Sequence, residues 1–217
     1  DEWKDDPDMI GDVMRFLDNV LSDFINKAPE QFKDAKYSAE RERSVGLGVM
    51  GFHSFLQKKR IPLESVMAKS WNKKIFKNIH EKVNQASKDL AEERGACPEA
   101  AEYGFKERFS NKTAIAPTAS ISIICGGASP GVEPIAANSY THKTLSGSFN
   151  VRNRYLEEIL ESHGKNDDET WSTITTNQGS VSHLDFLTDL EKDTNGHALL
   201  TPFFTPQAIN ATQTIRR

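Results

Sequence analysis

The sequence predicts an α/β fold in which helices dominate, and three observations support this. Two long segments, 10–25 and about 64–94, place apolar residues at helical spacing. After Phe109 the pattern changes to short apolar stretches separated by glycine- and proline-rich turns. Strand, loop and helix alternating in this way are typical of an α/β fold. The 217 residues suffice for one large domain or two small ones.

The first helix has recognisable signals at both ends. Asp6 can cap its N-terminus, Pro7 suits its first position, and Ala28-Pro29 should end it. Its apolar residues predict a single stripe: Ile10, Val13, Met14, Leu17, Val20, Leu21, Phe24 and Ile25.

The remaining elements are predicted from shorter patterns. Gly95 is a natural C-terminal cap for the second long helix. The segment 45–56 is apolar and punctuated by glycine, which predicts a short buried strand leading into a helix. We also expect a short buried strand at 113–116, a loop at 117–120 and a helix at 153–163.

Composition excludes several classes of protein. A net charge of -4 argues against direct DNA binding, and the basic pairs and triplets lie among acidic residues, as on solvated helix faces. No stretch approaches the length of a membrane span, and no signal peptide opens the chain. Cys97 and Cys125 are too few for a disulfide framework, so a cytoplasmic location is expected.

One motif invites a cofactor interpretation. The segment 46–51 reads Gly-Leu-Gly-Val-Met-Gly, which matches the dinucleotide-binding fingerprint of a nicotinamide-dependent dehydrogenase. That fingerprint requires a buried strand before it, whereas 41–44 is Arg-Glu-Arg-Ser. Close packing of the backbone is therefore the favoured explanation for these glycines. No histidine lies at metal-ligand spacing, and neither cysteine forms a Cys-x-x-Cys pair, so we expect no metal site.

The strongest chemical signal is the loop 117–121. Small residues with hydroxyl groups after a strand leave backbone N–H groups free to point at an anion. Thr118 and Ser120 add hydroxyl donors, and a helix after Ser120 would add a favourable dipole. Composition alone leaves an ordinary serine-rich turn as an equal alternative.

Five stretches resemble one family, in the family's order. They are Arg41–Val49, Glu93–Pro98, Ile115–Ser122 (Ile-Ala-Pro-Thr-Ala-Ser-Ile-Ser), Gly131–Pro134 (Gly-Val-Glu-Pro) and Leu145–Phe149. The chain thereby resembles the large, catalytic subunit of aerobic class I ribonucleotide reductases. The resemblance covers the chain from its start to about Asp193.

The resemblance implies a fold and a binding site. The chain would be a helix-rich fragment of that family's ten-stranded α/β barrel. The Pro-Thr-Ala-Ser loop of the family holds the substrate's diphosphate. By position, Thr118, Ala119, Ser120 and Ile121 would supply amides and hydroxyls, and Pro117 would fix the entry of the loop.

The resemblance also implies an activity and partners. The full enzyme would reduce ribonucleoside diphosphates to deoxyribonucleoside diphosphates for DNA synthesis. It would use a small radical-generating subunit, thioredoxin or glutaredoxin as reductant, ATP and deoxynucleotide effectors, and the remainder of the large subunit. No cofactor is expected in this segment itself. The family's Asn-x-Cys-x-Glu pattern does not occur here, so no catalytic residue is assigned and the isolated chain is expected to be inactive. The alternative is a non-catalytic phosphate-binding half of a split subunit.

The end of the chain differs from the rest. Acidic residues are absent after Asp193, and prolines at 202 and 206 would break a continuing helix. We therefore expect residues 1–193 to be part of the barrel domain and residues 194–217 to form a divergent, poorly ordered tail.

Overall fold

A computed structural model describes residues 6–135, 137–144 and 147–196. The elements in chain order are α1 (Met9–Lys27), a short 3-10 turn (Glu30–Phe32), α2 (Lys33–Glu42), α3 (Phe52–Lys58), α4 (Val66–Arg94), α5 (Pro98–Glu102), α6 (Ala119–Ile124), β1 (Ser139–Thr144), β2 (Gly147–Arg152), α7 (Arg154–Ser162), α8 (Asp168–Thr176) and α9 (Asp189–Gly196). The chain folds into two compact units. The first comprises the described residues of 1–48 and 73–116, and the second comprises those of 49–72 and 117–217.

Helix α1 ends where the sequence predicts but begins at Met9, two residues after Pro7, the predicted first position. The Asp6 carboxylate accepts hydrogen bonds from the N–H groups of Asp8 and Met9, at 3.1 and 3.0 Å. Such a side chain satisfies donors that have no partner inside the helix. At the other end Ala28 N–H closes the last turn on Phe24 O, and Pro29 follows. The predicted helix, its Asp6 cap and its end at Ala28-Pro29 are confirmed, whereas the placement of Pro7 at the first helical position is wrong because Asp8 is the N-cap residue.

The apolar stripe of α1 is only partly buried. Ile10 and Met14 pack against α4 and Phe109, in a core that also contains Val83, Ala86 and Leu90. Other members of the predicted stripe are exposed: Val13 by 39%, Val20 by 51% and Phe24 by 39%. Together with Met9 and Phe16 they form a second apolar face of α1. The helix thus has two apolar faces where the sequence predicted one, and α4 covers only one of them.

A buried carboxylate lies at the centre of the first unit. Asp18 of α1 is fully buried and accepts hydrogen bonds from the guanidinium groups of Arg43 at 2.7 Å, Arg94 at 2.9 Å and Arg108 at 2.9 Å. Burial alone would raise the pKa of this carboxyl, but the bonds from Arg108, Arg43 and Arg94 outweigh it and lower the pKa below 3.8.

The C-terminal end of α4 partly compensates the excess of positive charge around Asp18. Arg108 also donates to the carbonyl oxygens of Arg94, at 3.1 Å, and Gly95, at 3.0 Å. These carbonyls terminate α4, where the helix dipole places partial negative charge. Gly95 has φ +88°, the left-handed conformation of a C-terminal cap. The prediction of α4 and of its glycine cap is confirmed.

Two extended segments of the first unit pair in parallel. Leu47 N–H donates to Lys112 O at 3.0 Å, and Ala114 N–H donates to Leu47 O at 3.1 Å. A Cβ on Gly46 would lie 2.7 Å from Ala114 Cβ, and a Cβ on Gly48 would lie 2.5 Å from Ala114 O. No side chain fits at either position, which confirms close backbone packing as the role of these two glycines.

The predicted burial of the strand at 113–116 is wrong. Thr113 forms a parallel bridge with Leu47, but all four residues of the segment are exposed. Parallel strands are normally covered on both faces. Within the part of the first unit that the structure describes, that cover is missing.

The second unit has its own core, built by α7, α8 and the segment after them. Its members are Leu156, Ile159, Leu160, Trp171, Ile174, Val181, Leu184 and Leu187. The predicted helix at 153–163 is confirmed as α7, whose N-terminus is capped by the Asn153 side chain accepting from Tyr155 N–H at 3.1 Å. Strands β1 and β2 pair as an antiparallel hairpin, with Ser139 opposite Arg152. This hairpin was not predicted.

The boundary predicted at Asp193 falls inside α9. Thr194 and Asn195 are buried, and Asn195 is hydrogen-bonded to two distant residues of the second unit. Its Oδ1 accepts from Gln57 Nε2 at 3.1 Å, and its carbonyl oxygen accepts from Asn138 Nδ2 at 2.6 Å. The packed region therefore extends past residue 193. Residues 197–217, the rest of the predicted tail, lie outside the described residues.

We predict that Asp18→Asn lowers the free energy of unfolding by about 3–5 kcal/mol, because it leaves buried arginines without their counter-charge. Since the folded pKa of Asp18 is lowered, its contribution is complete above pH 3.8 and is lost as the pH falls through the folded value. Urea denaturation followed by circular dichroism, at neutral and acid pH, measures both effects. Asp12→Asn on the exposed side of α1 is the control. Equal stabilities of the Asp18 and Asp12 variants would contradict the prediction.

We also predict that the purified chain associates with itself through the second face of α1, since exposed apolar surface promotes association. Phe16, 63% exposed, is its most exposed member. Phe16→Glu should reduce the association seen by sedimentation velocity at rising concentration, whereas Asn26→Glu should not. A wild-type chain that stays monomeric at high concentration would refute this expectation.

Candidate functional site

The candidate site is centred on Thr118, which has an unusual backbone conformation. Thr118 lies in the left-handed region, at φ 50° and ψ 27°, directly before α6. A β-branched residue rarely adopts this conformation, which costs about 1–3 kcal/mol and tends to occur at functional positions. The Thr118 Oγ1 atom accepts a hydrogen bond from Gly131 N–H at 2.7 Å. This bond holds the strained residue in place.

Helix α6 begins earlier than the sequence suggested. Ala119 and Ser120, predicted as loop residues, form its first turn. The first helical hydrogen bond runs from Ser122 N–H to Thr118 O, at 2.9 Å. The N–H groups of Ala119, Ser120 and Ile121 precede that bond and point out of the helix end. An anion at this position would meet three backbone donors.

The side chains of the loop leave this helix end accessible. Pro117, Ala119, Ser120 and Ile121 are exposed, and Thr118 is half-buried. Among the described residues, Ser120 Oγ has no hydrogen-bond partner. The structure thus brings together all five residues that the sequence singled out. The donors they present are neutral: backbone amides and two hydroxyl groups.

A second loop supports the first. Ser129 is fully buried, and its Oγ accepts from Ser54 N–H at 3.1 Å while its own N–H donates to Ser54 Oγ at 2.8 Å. Its carbonyl oxygen accepts from Gly51 N–H at 2.8 Å. Gly51 has φ +80° and is the N-cap residue of α3. The loop that carries Gly131 is therefore fixed to the first turn of α3.

The Glu-Pro segment follows in the same loop. Ile135 N–H donates to His53 Nδ1 at 3.1 Å, so this ring nitrogen is unprotonated. Val132 is buried, whereas Glu133 is exposed. The roles of Ser129, Gly131 and Ser54 were missed from sequence, where 129–131 indicated only a turn.

Neither cysteine forms a disulfide, and the described residues contain no metal-binding cluster. Cys97 is buried, Cys125 is exposed, and both are free thiols. In the described ranges no group of three His, Cys, Asp or Glu side chains is arranged to hold a metal ion. Likewise, none of the described helices is long and apolar enough to span a membrane.

Comparison with known proteins identifies the family. The family model of the ribonucleotide reductase barrel domain matches residues 2–108 and 99–199. The chain belongs to this family. A solved structure, the class Id ribonucleotide reductase alpha subunit of Actinobacillus ureae, is similar with a TM-score of 0.86 and 35% identity over 97% of the chain. The predicted helix-rich fragment of the ribonucleotide reductase barrel domain is thereby confirmed.

Two curated relatives are ribonucleoside-diphosphate reductases of different kinds. The ribonucleoside-diphosphate reductase large subunit of Invertebrate iridescent virus 6 is 48% identical over 88% of the chain. A vitamin B12-dependent ribonucleoside-diphosphate reductase of Thermoplasma acidophilum is 42% identical over 61% of the chain. The chain spans 20% of the viral protein, 17% of the archaeal one and 38% of the solved structure.

Proposed function

We propose that this chain is part of a ribonucleoside-diphosphate reductase large subunit, in which the loop 117–121 binds the diphosphate of the substrate. One observation carries the proposal: the strained Thr118 opens α6 and leaves three N–H groups directed outward beside the exposed Ser120. Backbone donors at a helix start attract phosphate oxygens, and the dipole of a short helix adds modestly.

The hydroxyl groups fit the same role. Thr118 Oγ1 accepts from Gly131 N–H, which leaves its own proton free to be donated to a phosphate oxygen. Ser120 can donate in the same way. Hydrogen bonds from neutral donors to a charged phosphate are worth about 1.5–3 kcal/mol each, so these groups can hold a diphosphate without a cation from the loop.

The reaction of the full enzyme is proposed from the relatives. Several are ribonucleoside-diphosphate reductases by name, and the term large subunit in some names implies a smaller partner. We propose a separate radical-generating subunit, thioredoxin or glutaredoxin as reductant, and ATP and deoxynucleotides as effectors. The vitamin B12-dependent relatives offer a different radical source. The higher identity to the viral large subunit supports the two-subunit form.

We propose the remainder of the large subunit as the packing partner of this chain. The second face of α1 exposes Met9, Val13, Phe16, Val20 and Phe24. The segment 113–116 is also exposed, beside a parallel bridge that lacks cover. Both features are expected of a domain fragment whose packing partners lie elsewhere in the polypeptide.

We predict that Ser120→Ala, in a large subunit containing this chain, weakens binding of a ribonucleoside diphosphate by about 1–3 kcal/mol, through loss of a donor to the phosphate. Thr118→Ala should have a similar effect. Equilibrium binding of the diphosphate and of the corresponding nucleoside separates the phosphate contribution from the rest of the substrate. Ser162→Ala on α7 is the control. Unchanged diphosphate affinity in both loop variants would argue against the phosphate role.

We further predict that the chain alone, supplied with a small subunit and a dithiol, reduces no ribonucleotide. The reason is that the family's Asn-x-Cys-x-Glu pattern does not occur in it. Deoxynucleotide formation measured by chromatography decides the question. Addition of a chain that carries the missing pattern is the positive control. Turnover by the isolated chain would overturn the prediction.

A further inference from the structure

We infer that Ser129 is a positioning residue for the loop 117–121: it caps α3 and thereby sets the place of the Gly131 N–H group that holds Thr118. The inference rests on the proposed phosphate role of that loop. It concerns a residue that would contact neither the substrate nor the reacting atoms. A chain of hydrogen bonds connects α3 with Thr118.

Helix α3 has no capping side chain at its own N-cap position. Its N-cap residue is Gly51, which has no side chain to accept a hydrogen bond from the first turn. Ser129, far away in sequence, supplies that acceptor: its Oγ lies 3.1 Å from Ser54 N, the third position of the helix. Its carbonyl oxygen also accepts from Gly51 N–H at 2.8 Å. Ser129 thus does for α3 what a serine at the N-cap usually does.

Ser129 is held firmly against α3. The Ser129 N–H group donates to Ser54 Oγ at 2.8 Å, so the two serines cap each other reciprocally. Ser129 is 0% exposed and Ser54 is 4% exposed. Breaking one of these bonds would leave a buried polar group without a partner, which is costly. Three hydrogen bonds therefore fix the position of Ser129 on α3.

Gly131 connects Ser129 with the candidate site. Gly131 follows two residues later, has φ +49°, and donates its N–H to Thr118 Oγ1 at 2.7 Å. Thr118 is itself in a strained left-handed conformation. A strained residue persists only where its surroundings hold it. Displacement of Gly131 would let Thr118 relax and would turn the N–H groups of residues 119–121 away from a bound phosphate.

The test uses a large subunit that contains this chain, with cytidine diphosphate and cytidine as probes. Ser129→Ala should raise the dissociation constant of the diphosphate roughly tenfold, the scale of one hydrogen bond to a charged group. The affinity for cytidine should not change. Thr118→Val removes the acceptor of Gly131 N–H at nearly constant volume, whereas Thr118→Ser retains it and should bind as the wild type does. Ser162→Ala removes a side-chain hydrogen bond on α7 and is the control for lost stability.

A double-mutant cycle decides whether the effect passes through Thr118. If it does, combining Ser129→Ala with Thr118→Val should weaken diphosphate binding no more than Thr118→Val alone. Additive effects would overturn the inference. So would a Ser129→Ala variant that melts at a lower temperature but binds the diphosphate normally. If Ser129→Ala does not fold, Ser54→Ala keeps the Ser129 hydroxyl and takes its place, with the same expected and contrary results.

Failure of the phosphate role itself would be recognised separately. In that case Ser120→Ala would leave diphosphate affinity unchanged. Hydrogen exchange at Gly131 N–H then tests the positioning alone, because Ser129→Ala should accelerate it at least several-fold relative to Ser162→Ala. Unchanged exchange would overturn the inference whatever the ligand.

Discussion

The first unit depends on the buried carboxylate of Asp18. Arg43 and Arg108, two of its three partners, lie directly before the two segments that pair in parallel. The third, Arg94, ends α4. One side chain of α1 therefore fixes where both paired segments start and where the longest helix stops. A buried charge of this kind is costly to desolvate, and it stabilises the fold only because every partner is present.

Of the four non-glycine residues with positive φ in the described part of the chain, Arg43 and Thr118 have side chains that are bound by distant partners. Arg43 has φ 46° and Thr118 has φ 50°, conformations that glycine adopts without cost. The side chain of Arg43 is bound by Asp18, and that of Thr118 by Gly131 N–H. A glycine in either place would adopt the backbone conformation but would lose the hydrogen bond that defines its position. In both cases a strained backbone is combined with a side-chain contact that specifies one arrangement.

Sequence was sufficient where the determinants are local. The apolar periodicity of α1 and α4, the Pro29 stop of α1 and the Gly95 cap of α4 lie within or next to the helices they define, and these predictions are confirmed, as is the position of α7. The sequence did not show that Asn195 would be buried, because its partners Gln57 and Asn138 are far away along the chain. The candidate site likewise combines residues that a local pattern indicates with residues that only the fold brings together. The five loop residues were recognised through their resemblance to a family, but the contribution of Ser129 arises from contacts across 75 residues that no local pattern records.

The two glycine- and serine-rich motifs of this chain show why spacing alone does not define an anion site. In 46–51 the letters match a phosphate-binding fingerprint, but Gly46 and Gly48 are needed where Ala114 approaches the backbone, and no side chain would fit there. A phosphate site requires N–H groups that are directed outward and free of internal partners. That condition is met at 119–121, where there is no glycine and where Thr118 adopts the left-handed conformation instead. The physical requirement is the direction of the donors, and at Thr118 the left-handed conformation, held by the bond from Gly131 N–H, gives that direction without a glycine.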